Sequence, residues 1–281
     1  MTLRTALVAL HAAVALFGFA ALFGKWIALP ATAIVLGRTA IAAATLAVVA
    51  RLRDQPLGQP AGALVWNGAL LALHWVAFFA AIKVASVAIG LLGYAAFPVF
   101  VLLLEHGALA GRSRRPALLG TVLASVGLVA LVPDFSWSSG AARGLALGLL
   151  SGFTFAWLAV RNRRLVATQS ATRIALWQNV YATALLLPVV AIVDGASAWP
   201  EPADAGRLVV LGVVCTGIAH TLFIGSMRRV SAHTASIVAA LEPVYGIALA
   251  AWLLHEVPDA RTIVGGALIV AAALVASRRV A

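Results

Sequence analysis

Glu242 is the one carboxylate that falls in the middle third of any long apolar stretch of this chain. Burying such a group in hydrocarbon is costly, so it needs a partner, a proton or a ligand. Two chemistries are open to it: contact with a cation or ammonium group, or proton coupling. A structural role is also open, because Pro243 leaves the carbonyl four residues back without its ladder donor. Arg38 lies about nine residues into another apolar stretch. A guanidinium there can pair with Glu242, hold a substrate carboxylate through two parallel bonds, or snorkel to an interface.

His74, Trp75 and Phe78 form an aromatic patch, with His74 and Phe78 four apart on one helical face. His220 falls near the matching place in the second half of the chain. Tyr94 and Phe97, and Phe153 and Trp157, are ring pairs at helical spacing, with Phe19, Trp177, Tyr181 and Tyr245 also deep inside apolar stretches. Membrane Trp and Tyr usually sit at interfaces, as expected here for Trp26, Trp137, Trp199 and Trp252. Each inner ring has packing as its alternative role. As a set they favour flat apolar groups or planar cations.

The elements that position these residues are membrane helices. Of 281 residues, 63% are hydrophobic and 10% charged, with a mean hydropathy of +1.03. The apolar residues come in runs long enough to cross a hydrocarbon core as helices, without the alternation of a barrel strand. Ten spans are predicted, at 5–24, 30–50, 62–82, 86–104, 116–132, 143–160, 173–193, 207–227, 232–253 and 262–277. The first is too long for a signal peptide and lacks a clear cleavage site. Cys215, alone in the chain, excludes a disulfide framework.

The net charge of +11 reflects topology rather than nucleic acid. With the N-terminus inside, 14 of the 20 Lys and Arg fall in inner segments, 5 in outer ones, and Arg38 within a span. That asymmetry is a positive-inside signal that puts both termini on the cytoplasmic side of an inner membrane.

An offset of 145 residues superposes the fourth span on the ninth. It aligns Phe97-Pro98-Val99-Phe100 with Glu242-Pro243-Val244-Tyr245, Lys83 with Arg228, Ser86 with Ser231, and Gly120 with Gly265. Arg38-Thr39 lands near Gln178-Asn179. Five spans per copy is an odd number, so the copies, 1–135 and 143–281, enter the membrane from opposite sides. Inverted repeats of this kind build transporters, with the site near midplane at the repeat interface. Duplication without transport is the alternative. Gly144, Gly148 and Gly152 allow close helix contact along the sixth span, and Pro98 and Pro243 are expected hinges.

The segments Leu241-Glu242-Pro243-Val244-Tyr245, Leu254-His255-Glu256 and Ile263-Val264-Gly265-Gly266-Ala267, within the duplicated layout, resemble the EamA-type drug/metabolite transporter superfamily. The chain most resembles its aromatic amino acid exporters of the YddG type. The resemblance implies a ten-helix basket whose central cavity is lined by spans 1, 3, 4, 6, 8 and 9. It implies export of aromatic and other neutral amino acids. Phe97, where the second half has Glu242, departs from the internal symmetry.

The expected cavity contacts are His74, Phe78, Tyr94, Phe97, Trp157, Trp177, His220, Arg38 and Glu242. No cofactor is expected, and the expected partners are a small-molecule substrate and the bilayer, with the chain a monomer. Two readings compete: an exporter of drugs or planar cations countered by Glu242, and a membrane-embedded enzyme on lipid-linked substrates, for which Glu105, His106 and the 112–115 arginines form a weak cluster. Enzyme motifs are missing: Gly18 to Lys25 has one residue too many for a P-loop and no Ser or Thr after the lysine, and no zincin or Gly-x-Ser-x-Gly pattern occurs.

Overall fold

The computed structural model describes residues 1–56, 58, 62–104, 122–123, 126–127, 130 and 139–277. All regular structure among them is helical. Eight helical stretches are long and apolar enough to cross a membrane, from Leu3–Trp26 to Ala232–Leu253, and a shorter apolar helix runs over Ala260–Ala272. Nine of the ten expected spans therefore have a helical counterpart. The fifth, at 116–132, lies outside the described residues apart from five positions, as does the Glu105, His106 and 112–115 cluster.

Helices α1 (Leu3–Trp26), α2 (Ala31–Leu52) and α3 (Gly62–Val84) are continuous. The fourth span is broken into α4 (Val87–Tyr94) and α5 (Phe97–Leu104). Helices α6 (Gly140–Leu165) and α7 (Ala171–Val193) follow. The eighth span comprises α8 (Pro202–Gly212), a widened π turn over Val213–Ile218, and α9 (Ala219–Ser226). The ninth is broken into α10 (Ala232–Ala239) and α11 (Glu242–Leu253), and α12 covers Ala260–Ser277.

The two broken spans share local causes. Ser86 caps α4 by accepting from the Ile89 N–H at 3.1 Å, and Ser231 caps α10 by accepting from the Thr234 N–H at 2.9 Å. Each hydroxyl satisfies an N–H that has no partner within its helix. Both spans interrupt before the prolines expected as hinges, because a Pro at the second position of a new helix needs no N–H there. All these landmarks keep the 145-residue offset.

Packing crosses between the halves. Helix α1 lies against α11, α9 and α3, while α6 lies against α4, α5 and α3. Glycine sets two of these approaches. A Cβ on Gly148 would stand 3.0 Å from both the Gly90 carbonyl oxygen and the Gly93 Cα, and one on Gly18 would stand 3.0 Å from the Gly246 nitrogen. Backbone meets backbone at both places, so no side chain fits without separating the helices. Lys83 Nζ donates to the Ile27 carbonyl at 2.9 Å, and Arg228 Nη2 donates to the Gln169 carbonyl at 3.1 Å. Each of these aligned cations ties down the loop between the first two spans of its own half.

Candidate functional site: an aromatic cavity with buried Arg38 and Glu242

A small cavity opens where α1, α2, α3, α4, α6, α9 and α11 converge. It is bounded by Phe17, Arg38, His74, Trp75, Phe78, Tyr94, Phe155, His220 and Glu242, with Ala20 at one side. At about 20 Å³ it has room for roughly one water.

Arg38 is 1% exposed. Its guanidinium carbon lies 3.9 Å from the centre of the Trp75 ring and 5.3 Å from that of Phe79. Its Nε donates to Thr216 Oγ1 at 2.9 Å, and Nη2 reaches the Cys215 carbonyl at 3.4 Å. Both acceptors belong to the π turn, where Thr216 Oγ1 in turn donates to the Leu211 carbonyl five residues back. A widened turn presents backbone and hydroxyl oxygens that a regular α-helix keeps within its own ladder. Arg38 is thus held inside the bundle and does not snorkel. No ion pair joins it to Glu242 within 4 Å among the described residues.

Glu242 stands at the first turn of α11, 4% exposed, and its Oε2 has no hydrogen-bond partner. The Tyr94 hydroxyl stands beside the carboxyl, and Arg38 acts on it electrostatically. The break before Pro243 places this carboxyl at a helix N-terminus, where free N–H groups favour negative charge.

The walls are rings. His74 stacks on Phe155 with centroids 4.5 Å apart and accepts or donates at Nδ1 with the Ser151 hydroxyl, 2.8 Å away. Tyr94 contacts His74, Phe78, Phe97 and Phe155. Trp75 meets the His220 ring edge-on at 5.6 Å. His220 Nε2 is bonded to Gln178 Oε1 at 3.1 Å, while its Nδ1 has no partner.

Six of the expected contacts meet at this cavity: Arg38, His74, Phe78, Tyr94, His220 and Glu242. Phe97 is buried one layer behind, stacked on Tyr94 at 5.8 Å. Trp157 lies outside the cavity and packs edge-to-face on Trp66 at 5.7 Å. Trp177 also lies outside it, against Tyr181 at 5.9 Å. The helical repeat explains Trp157. Phe153 and Trp157 share a face, and residue 155, two steps away, points to roughly the opposite one. Phe155 takes the inner face, leaving Phe153 38% exposed. Pro98 is buried and Pro243 lies under the Glu242 turn, at the two breaks rather than in the cavity wall.

Sequence reasoning missed Phe17, Phe155 and Thr216. It also missed a buried polar chain made by Asn67, Asn162 and Gln178 behind His220. The cost of burying amides in a span would have marked that chain. Nothing in the spacing marks the π turn. Among the described residues no three His, Cys, Asp or Glu side chains converge to hold a metal ion.

Comparison with known proteins identifies the scaffold. Residues 142–278 match the EamA-like transporter family. A pseudopaline exporter of Pseudomonas aeruginosa is 30% identical over 89% of this chain and 87% of its own length. A biotin transporter of Escherichia coli is 30% identical over 58% of this chain and 54% of its own. A solved crystal structure superposes with a TM-score of 0.75 at 22% identity, covering 99% of this chain and 100% of that one, and so shares the fold. The relatives support the superfamily without singling out its aromatic amino acid exporters. They place the chain among multi-pass small-molecule transporters and not enzymes. Its identity to the pseudopaline exporter, sustained over nearly the whole length, shows that the chain belongs to the EamA-like transporter family.

Proposed function

We propose that this protein is a secondary transporter of the bacterial inner membrane that exports small zwitterionic metabolites with a flat apolar side, aromatic and other neutral amino acids first among them. The observation that carries the reading is the pairing, within one ring-lined cavity, of a buried guanidinium and a buried carboxyl that do not bond each other. Such a pair suits a ligand with a carboxylate at one end and an ammonium at the other, and each site charge then gains a partner on binding. The rings suit the apolar side. The name of one relative as an exporter supports the direction.

At about 20 Å³ the cavity is too small for any amino acid, so a substrate enters only when helices move apart. The breaks at Pro98 and Pro243 are the proposed hinges between two inverted five-span halves, 1–135 and 143–281, in a monomer. Wild-type transport rates in both Pro98→Ala and Pro243→Ala would remove the hinges.

The test is purified protein in liposomes, assayed for movement of labelled tryptophan, threonine and the planar dication methyl viologen, with and without a pH gradient. Movement of tryptophan or threonine is expected. Movement of the dication alone would replace the amino acid reading with a drug-exporter one, for which the unpartnered Glu242 oxygen is the favouring feature. Transport of none of the three would overturn it.

A further inference from the structure

Behind the cavity, a buried hydrogen-bonded chain runs from the basic end of the bundle to His220. Arg161, on the arginine-rich end of α6, donates from Nε to Asn67 Oδ1. Asn67 Nδ2 donates to Asn162 Oδ1 at 3.0 Å. Gln178 Nε2 donates to the same oxygen, and Gln178 Oε1 lies 3.1 Å from His220 Nε2. Asn67, Asn162, Gln178 and His220 are each at most 1% exposed.

The order of donors and acceptors follows from one end. A guanidinium can only donate. Asn67 must therefore turn its oxygen to Arg161 and its NH2 to Asn162, which must answer with an oxygen. Gln178 can then reach that oxygen only through its own NH2, so its carbonyl faces His220. The ring nitrogen opposite that carbonyl must be an N–H. In the neutral imidazole, Nδ1 is then a bare acceptor, and it has no partner. His220 lines the same cavity as Glu242, whose Oε2 is also unpartnered.

We infer that His220 Nδ1 and Glu242 Oε2 form an acceptor pair that receives an N–H donor of the substrate, an amine or ammonium group, with Gln178 the positioning residue that keeps His220 in its acceptor tautomer. The inference rests on the zwitterion reading and sharpens it by assigning the substrate's two ends. The amine goes to His220 and Glu242, and the carboxylate goes to Arg38. A buried acceptor left bare costs free energy that a donor on the ligand restores, so the pair discriminates between ligands with and without N–H groups.

The test measures binding to detergent-purified protein of three probes with one ring system: tryptophan, tryptamine (no carboxylate) and indole-3-propionate (no amine). His220→Phe keeps a ring in place and removes the acceptor. We expect it to weaken tryptophan and tryptamine at least about tenfold and to leave indole-3-propionate within about twofold. Equal loss for all three probes overturns the pair and leaves the amino acid reading standing. Wild-type binding of tryptamine but not tryptophan, lost in His220→Phe, keeps the pair and overturns that reading; no binding of any probe overturns both. For Gln178 the readout is the ¹⁵N spectrum of the labelled His220 ring. Wild type should show the Nε2–H tautomer, and Gln178→Leu a tautomer mixture. An Nδ1–H tautomer in wild type contradicts the assignment.

Discussion

The break in the fourth span and the break in the ninth are the same backbone device with different side chains. Both follow an eight-residue helix capped by serine, and both resume on a residue followed by proline. In the fourth span that residue is Phe97, sealed between Tyr94 and Phe155 with centroids 5.8 and 5.0 Å away. In the ninth it is Glu242, at the cavity with one oxygen unpartnered. The same backbone break thus carries a packing ring in one span and a polar group in the other. The second spans differ in the same way. Arg38 turns to the π turn and the cavity, while Gln178, near its aligned position, serves the buried amide chain.

The largest expected effect separates the two breaks directly. Glu242→Gln should lower tryptophan transport in liposomes by about ten- to a hundredfold, the range for losing a hydrogen bond to a charged group. Phe97→Leu, which removes only ring packing, should leave transport within about threefold and lower thermal stability by about 1 kcal/mol. Similar transport losses in both would mean the breaks do not differ in function. Next comes Arg38→Lys, which keeps the charge but gives up the planar stack on Trp75. A drop of roughly tenfold in affinity for tryptophan is expected, with tryptamine little changed. Equal weakening of both ligands would show that Arg38 does not read the carboxylate.

The crossed glycine contacts predict a symmetric cost. Gly148→Leu on α6, facing α4, and Gly18→Leu on α1, facing α11, should each destabilise by about 1–3 kcal/mol or more in thermal unfolding, because the facing backbone blocks the new side chain. The smallest effect is at the caps. Ser86→Ala and Ser231→Ala should each cost about 1 kcal/mol, and a clear inequality would show that the breaks are not equivalent in their energetics.

The spans were legible because membrane burial writes itself as long apolar runs, and the breaks because proline and serine act on their own neighbours. The polar cavity groups Arg38, Glu242, His74 and His220 were legible because few such residues occur in spans at all. Aromatic residues were harder to place, since a ring is equally at home in packing, cavity or lipid. Trp157 and Trp177 packed outward, and Phe155 turned inward, for reasons of helix rotation set by neighbouring helices. The π turn that receives Arg38 has no sequence spacing of its own. Its contact with Arg38 joins residues 178 positions apart.

Equilibrium binding of labelled tryptophan to purified wild type, Phe155→Leu and Trp157→Leu tests most directly that the cavity is the substrate site. The cavity predicts affinity reduced about fivefold or more in Phe155→Leu, the loss of one stacking ring, and unchanged within about twofold in Trp157→Leu. Weakened binding in Trp157→Leu with Phe155→Leu unaffected would contradict it.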